Sequence, residues 1–176
     1  MKESAHGWIE GSIEGVEIFT PTCWDDQRGW LIEIYRNDEI DTSILPQMTY
    51  VSQTLPEMTR GPHEHRRQTD RFAIVGPGNF LVWLWDDRAE SSTAGRMLRV
   101  LAGTDRPRII VVPPGVVHAY RNVSDQPGLV INCPDKLYAG EDRAEQVDEI
   151  RYEDSENIAK FKMDLPSDLS KLGDDA

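Results

Sequence analysis

The chain alternates short apolar runs with turns rich in Gly, Pro and Asp, a pattern that predicts β-strands rather than helices. Strands are predicted at 15–20, 30–35, 47–55, 71–75, 79–85, 96–101, 108–112, 118–122 and 129–133. From 80 to 85 both alternating faces are apolar, so we expect that strand to be central in its sheet or at an interface. Helix signals are confined to a turn near 37–43 and a short helix near 155–161. The pattern predicts an all-β fold, best described as a jelly-roll barrel.

Composition narrows the picture to one packed domain, predicted at 1–163, followed by an acidic C-terminal tail at 164–176. No apolar run approaches the roughly 20 residues that span a bilayer, and the first residues lack the apolar stretch of a secretory signal. The net charge of -12 disfavours nucleic acid and anionic membranes as partners. Cys23 and Cys133 suggest no disulfide scaffold, so we expect a cytoplasmic protein.

Two segments carry most of the candidate chemistry, because they contain three of the four histidines. Residues 60–65 read Arg-Gly-Pro-His-Glu-His, and residues 113–120 read Pro-Pro-Gly-Val-Val-His-Ala-Tyr. Residues i and i+2 of a strand share a face, so His63 and His65 can both point into the barrel. Imidazole titrates near neutrality and also binds metals. If the fold brings the segments together, they form a polar site inside an apolar barrel.

At these residues the chain resembles the dTDP-4-dehydrorhamnose 3,5-epimerases, the RmlC-like enzymes of the cupin superfamily. Residues 60–63 are similar to the family's Arg-Gly-Leu-His, and residues 113–120 to its Pro-x-Gly-x-x-His-Gly-Phe. Residues 26–33 are similar to its Asp-x-Arg-Gly-Phe-Phe-x-Glu, and similar segments lie at 86–95, 138–141 and 150–154. The resemblance implies an RmlC-like cupin barrel (double-stranded β-helix), a nucleotide-sugar substrate, and a homodimer that exchanges strands near the N-terminus.

The resemblance also implies catalytic roles. A family histidine, here His63, removes a proton from the carbon next to the 4-keto group of a dTDP-hexose. The family lysine that stabilises the oxyanion aligns with Arg71, and Asp174 is a loose candidate for the carboxylate that pairs with the histidine. The family's catalytic tyrosine falls at Asn132 when counted from Tyr138, or at Ile131 when counted from His118. Neither residue is a phenol, so we expect a reaction other than the standard 3,5-epimerisation.

Substrate-binding roles follow from the same resemblance. Arg28 and Arg60 fall at positions that hold the diphosphate, and Tyr138 falls near the aromatic residue that contacts the nucleotide. His118 belongs to the second histidine segment and is expected to contact substrate.

A metal site is the alternative, because the family's Arg-Gly-Leu-His-x-Gln has become Arg-Gly-Pro-His-Glu-His. His63, His65 and His118, with Asp70 as the carboxylate, come close to the metal-cupin pattern, and Gln68 is a weaker substitute for Asp70. Such ligands suit a divalent transition metal, Fe, Mn, Ni or Zn, that could act as a Lewis acid. His65 can equally be a polar residue that merely lines the barrel.

Three functions therefore remain open. The first is an epimerase- or isomerase-like enzyme that needs no cofactor and acts on a nucleotide-linked 4-keto-6-deoxy sugar. The second is a metal-dependent cupin that acts on a small polar substrate. The third is a non-catalytic protein that binds sugar nucleotides.

Overall fold

The computed structural model describes residues 7–172, and strands dominate that part of the chain. The strands, in chain order, are β1 (Ile9–Glu10), β2 (Glu17–Phe19), β3 (Cys23–Asp26), β4 (Gly29–Ile32), β5 (Tyr50–Thr54), β6 (Thr59–Glu64), β7 (Asp70–Ile74), β8 (Asn79–Asp86), β9 (Arg96–Gly103), β10 (Arg108–Val112), β11 (Val116–Asn122), β12 (Gly128–Asn132) and β13 (Ile150–Arg151). Short 3-10 turns occur at Thr42–Ile44, Glu141–Arg143, Glu156–Lys160 and Leu169–Lys171.

The strands of this described part form two facing sheets and a separate hairpin. One sheet has the order β1-β9-β8-β11-β6-β13, the other has the order β2-β10-β7-β12-β5, and β3 pairs with β4. From β5 to β8 and from β9 to β13, successive strands lie in different sheets, which is how a jelly roll covers its own edges. The predicted all-β jelly-roll fold is confirmed.

The space between the sheets is filled by alternate residues of the central strands. Phe80, Val82 and Leu84 of β8 pack in one cluster with Phe72 and Ile74 of β7. All five are at most 4% exposed, and each occupies every second position of its strand. This cluster is the barrel core, and residues of the same parity on neighbouring strands point into it.

The other face of β8 is also covered, as its sequence predicts for a central strand. Trp83 and Trp85 are fully buried in a second cluster with Trp8 and Phe161. The second cluster also contains Leu172, which is 8% exposed although it lies in the segment predicted as an acidic tail. The segment from Phe161 to Leu172 therefore returns to the barrel and packs on the outer face of the six-stranded sheet.

Four strands, β1, β3, β6 and β13, were not among the predicted elements. In β6 the reason is that glycine and proline inside 59–64 are typical of loops. The helix expected near 155–161 is a 3-10 turn, Glu156–Lys160, which ends where Phe161 enters the second cluster. In the part of the chain described here, no helix has the length and apolar character needed to cross a membrane.

Candidate active site

Three histidine side chains meet beside the pairing of β6 and β11. His63 on β6 lies directly opposite His118 on β11, with ring centroids 4.3 Å apart. His65 follows β6, and its ring centroid lies 6.0 Å from that of His63 and 6.1 Å from that of His118. One ring nitrogen of each lies within 4.8 Å of the others. The structure therefore brings the two histidine segments together, as the sequence predicts.

Gly61 allows β6 to approach β11 this closely. Its φ of +86° lies in the region that only glycine adopts readily. A Cβ at this position would lie 2.6 Å from the carbonyl oxygen of His118 and 3.0 Å from Nδ1 of His63. The glycine of the Arg-Gly-Pro-His segment thus sets the spacing of the two histidines.

A buried carboxylate, Asp70, joins the histidines from the facing sheet. It is 1% exposed, and its Oδ2 lies 3.4 Å from Nε2 of His65 and 3.4 Å from Nε2 of His118. Its other oxygen, Oδ1, accepts hydrogen bonds of 2.8 Å from Nε2 of Gln68 and Nδ2 of Asn132. Gln68 therefore holds the carboxylate in place.

The hydrogen bonds fix which nitrogen of each ring carries a proton. Nδ1 of His118 donates to the carbonyl of Val116 at 3.0 Å, and Nδ1 of His65 donates to the carbonyl of Asp148, because a carbonyl can only accept. In a neutral ring, Nε2 then carries a lone pair. Both Nε2 atoms face the same oxygen of Asp70, and Nε2 of His118 is buried without a hydrogen-bond partner. A shared proton or a cation would satisfy this arrangement.

His63 has the electrostatics of a free base. Burial lowers its pKa well below the usual value, and the positive charge that His118, His65, Arg151 and Arg60 can carry lowers it further. The imidazole is therefore neutral near pH 7 and has a lone pair available. Burial likewise lowers the pKa of His118, although Asp70 opposes that change.

Strand parity decides which residue of β12 faces the site. Val130 belongs to the barrel core, whereas Ile131 packs against a third cluster on the outer face of the five-stranded sheet. Asn132 shares the parity of Val130, is 1% exposed, and reaches Asp70. Of the two positions where the family tyrosine could fall, Asn132 is therefore the one that faces the site.

Arg71 does not join the histidines, contrary to the role that the resemblance implied for it. Phe72 and Ile74 of β7 point into the barrel core, while Ala73 and Val75 belong to the outer cluster. By alternation, Asp70 points inward and Arg71 points outward. The charged groups that influence the pKa of Arg71 are accordingly Glu17 and Cys133, and none of the three clustered histidines.

The remaining predicted site residues lie at different distances from the cluster. Arg60 lies three residues before His63 on β6 and pairs with Tyr120 of β11. Its guanidinium donates to Thr54 Oγ1 and to the carbonyl of Gln53. Arg28 lies on the β3–β4 hairpin with its side chain 84% exposed, and pairs with Asp26 of the same hairpin. Asp174 lies outside the described residues.

A cavity of about 1000 Å³ opens beside His65. Tyr138, 49% exposed, lines it, as do Tyr50 and several cationic side chains. These cationic side chains, which the sequence did not single out, are Arg67, Lys136, Arg143 and Arg151. The cavity is large enough for a drug-sized ligand. Its wall is mixed in charge, because Arg67, Lys136 and Arg151 pair with carboxylates of the same lining. The acidic residues that line it are Asp135, Glu141, Glu145, Asp148 and Glu149.

Comparison with known proteins places the chain in a family. A model of the dTDP-4-dehydrorhamnose 3,5-epimerase family matches residues 10–170. The chain belongs to this family of sugar-nucleotide epimerases and isomerases. The resemblance inferred from the histidine segments is therefore confirmed.

Two relatives agree with this membership. The chain is 35% identical over 136 residues to a probable low-salt glycan biosynthesis epimerase, Agl13, of Haloferax volcanii; the match covers 77% of this chain and 86% of that protein. It is 30% identical over 119 residues to the spore coat polysaccharide biosynthesis protein SpsL of Bacillus subtilis, with 68% and 78% covered. Both are named for the biosynthesis of carbohydrate polymers.

Solved structures of the epimerase family share the fold. A dTDP sugar isomerase from Desulfovibrio desulfuricans has a TM-score of 0.71 and 28% identity, covering 79% of this chain and 84% of its own. An RmlC epimerase of Legionella pneumophila in complex with dTDP-4-keto-L-rhamnose has a TM-score of 0.73 at 18% identity, covering 95% and 84%. The RmlC-like cupin barrel is therefore the fold of this protein.

Proposed function

We propose that this protein is an epimerase or isomerase that acts on a nucleotide-linked 4-keto-6-deoxy sugar, with His63 as the base. The observation that carries the proposal is a neutral, half-buried imidazole on β6 whose ring lies 4.3 Å from that of His118 and 6.0 Å from that of His65, which lines a cavity of about 1000 Å³. A neutral imidazole can take a proton from carbon, and its low pKa keeps it unprotonated at neutral pH.

The proposed reaction begins with transfer of a proton from the carbon next to the ketone to His63. The C–H electron pair then moves into the ketone, giving an enolate and an imidazolium. Arg60 supplies positive charge beside His63, in place of the outward-facing Arg71. Return of a proton to the opposite side of that carbon gives an epimer. We propose that Tyr138 and Arg143, which line the cavity, hold the nucleotide diphosphate; the Legionella neighbour was solved with a dTDP-linked sugar.

Solvent deuterium incorporation into dTDP-4-keto-6-deoxyglucose tests the proposal. We expect the wild-type protein to exchange the proton on the carbon next to the ketone. In His63→Ala the rate of this exchange should fall at least about 100-fold. Thr59→Ala, at the other end of the same strand, is the matched control and is expected to keep the rate. Equal exchange by wild type and His63→Ala would show that His63 is not the base.

A metal centre is a second candidate function, favoured by the two Nε2 lone pairs that face one oxygen of Asp70. His63, His65, His118 and Asp70 would hold the ion, and neutral imidazoles with a carboxylate fit a divalent transition metal. When bound, the metal would supply a Lewis acid for a carbonyl oxygen. In that case His63 would be a ligand and would no longer be free to act as a base.

Elemental analysis of protein purified without chelator separates the two candidates. The metal function predicts about one equivalent of Fe, Mn, Ni or Zn, and a loss of most of it in His65→Asn, since every ligand matters for affinity. The epimerase function predicts less than about a tenth of an equivalent, with proton exchange unaffected by chelator.

We also propose that the protein is a homodimer. The β3–β4 hairpin exposes Trp24 by 49%, Trp30 by 54% and Leu31 by 59%, an apolar surface of the kind that a partner covers. Light scattering should give about 40 kDa, twice the chain mass of 20.0 kDa, and Trp30→Glu should shift the protein toward 20.0 kDa.

A further inference from the structure

The strand opposite Asn132 carries a phenol. Tyr50 on β5 pairs directly with Asn132 on β12, so the two side chains lie side by side on one face of the sheet. Nδ2 of Asn132 donates to the hydroxyl oxygen of Tyr50 at 2.9 Å. The hydroxyl of Tyr50 therefore lies at the tip of the side chain that occupies the position of the missing tyrosine.

The hydrogen bonds leave the phenol's own proton available. Oδ1 of Asn132 accepts from the backbone N–H of Arg71 at 3.1 Å, which fixes Nδ2 as the donor. The two N–H groups of Nδ2 serve Tyr50 and Oδ1 of Asp70, at 2.9 and 2.8 Å. Tyr50 is thus an acceptor in this bond, and its O–H is free to donate to a molecule in the cavity, which Tyr50 lines.

The two sheets place Tyr50 across the barrel from His63. β5 lies at the edge of the five-stranded sheet, and β6 lies in the facing sheet. Ser52 and Thr54 share the parity of Tyr50: Ser52 reaches the hydroxyl of Tyr120 in the barrel core, and Thr54 is 3% exposed. A sugar ring held between the sheets would therefore meet His63 on one side and Tyr50 on the other.

The phenol also stays protonated at neutral pH. Burial raises the pKa of Tyr50 to about 12, with the hydrogen bond from Asn132 opposing and the charge of Asp70 adding to the effect. Tyr50 is 44% exposed as a residue and lines the cavity, so a ligand there can reach it. If the O–H proton is lost, the bond from Asn132 becomes a charge-assisted one that stabilises the phenolate.

We propose that Tyr50 is the acid that returns a proton to the enolate on the side opposite His63, replacing the phenol that β12 lacks. The inference rests on the proposed epimerase function. The O–H bond of Tyr50 breaks as a new C–H bond forms at the carbon next to the ketone. The imidazolium of His63 then releases its proton to water, and the phenolate takes one from water, so neither group changes over a cycle.

Tyr50→Phe tests the assignment, because it removes only the hydroxyl. With dTDP-4-keto-6-deoxyglucose in deuterium oxide, we expect exchange at the carbon next to the ketone to continue within about threefold, because His63 is intact. Inversion at that carbon should fall at least about 100-fold, since general acid catalysis contributes that much. Tyr35→Phe is the matched control, an exposed tyrosine outside the cavity, and should keep both rates.

Each other outcome overturns the assignment in a distinct way. Inversion at the wild-type rate by Tyr50→Phe would exclude the hydroxyl, and equal loss of exchange and inversion would mean that Tyr50 only positions the site. Loss of inversion with retained exchange in Tyr120→Phe, and not in Tyr50→Phe, would identify Tyr120, the phenol in the barrel core, as the acid. A wild-type protein that exchanges no proton would refute the proposed function itself, and the assignment with it.

Discussion

Gly61 controls how closely the two histidine-bearing strands approach. Gly61→Ala should therefore reduce both the free energy of unfolding and the rate of proton exchange. At φ +86°, any residue with a Cβ pays about 1–2 kcal/mol for the left-handed conformation. The added Cβ would also lie 2.6 Å from the carbonyl oxygen of His118. Close C···O contacts begin near about 3.3 Å, so the strands must separate by about 0.7 Å.

Gly95→Ala provides the matched control. Gly95 has a φ of +81°, and a Cβ there would meet nothing within 4 Å. It therefore carries the same conformational cost without the collision. Overpacking adds about 1–3 kcal/mol, so Gly61→Ala should lose about 2–5 kcal/mol of unfolding free energy, against about 1–2 kcal/mol for Gly95→Ala.

The assay is urea unfolding combined with the rate of proton exchange on the 4-keto sugar nucleotide. A displacement approaching 1 Å at a reacting group costs on the order of 100-fold in rate, so Gly61→Ala should lose about 10–100-fold under conditions where it remains folded. Gly95→Ala should keep the wild-type rate. If both variants lose the same stability and neither loses rate, the glycine does not set the spacing of His63 and His118.

Further predictions concern stability. Asp86 is fully buried and accepts hydrogen bonds from the side chains of Arg88, Ser91 and Thr93, so Asp86→Ala should lower the free energy of unfolding in urea by about 3 kcal/mol. Asp87→Ala breaks only a surface ion pair and should lower it by under about 1 kcal/mol. Burial would raise the pKa of Asp86, but the hydrogen bonds from Arg88, Ser91 and Thr93 together lower it below its usual value. The contribution of Asp86 to stability is therefore complete above the unfolded-state pKa of about 4 and is lost as the pH falls. The stability gap between wild type and Asp86→Ala should therefore narrow below about pH 4, and a gap constant from pH 7 to 3 would contradict this. Phe161 is 0% exposed and contacts three aromatic rings, so Phe161→Ala should lower the free energy of unfolding by about 3–5 kcal/mol. Ile158 is 39% exposed, so Ile158→Ala should lower it by under about 1 kcal/mol.

The sequence of β7 does not show which of its residues point into the barrel and which point outward. All five residues of the strand are buried, because one face meets the barrel core and the other meets the outer cluster. An alternating pattern identifies the inner face only when the other face is polar. Alignment alone therefore favoured Arg71 for the site, whereas the structure points Asp70 inward.

Tyr50 illustrates a second limit. Its role depends on the register between β5 and β12, which are separated by more than 70 residues and pair as Tyr50 with Asn132. No local spacing in the chain links these positions. In the proposed mechanism β5 supplies the phenol that β12 lacks, and only the pairing of the two strands places Tyr50 beside Asn132.

By itself, the sequence determined the all-β fold, the family, and the two histidine segments, because strand alternation, turn residues and short motifs are local properties. The tertiary structure decided which side chains join His63. It placed Asp70, a ligand candidate in the predicted metal alternative, between His65 and His118. It also placed Tyr50 beside Asn132 and turned Arg71 away. The physical reason is that a site between two sheets depends on parity and register across strands, and both are fixed by packing between residues distant in the chain.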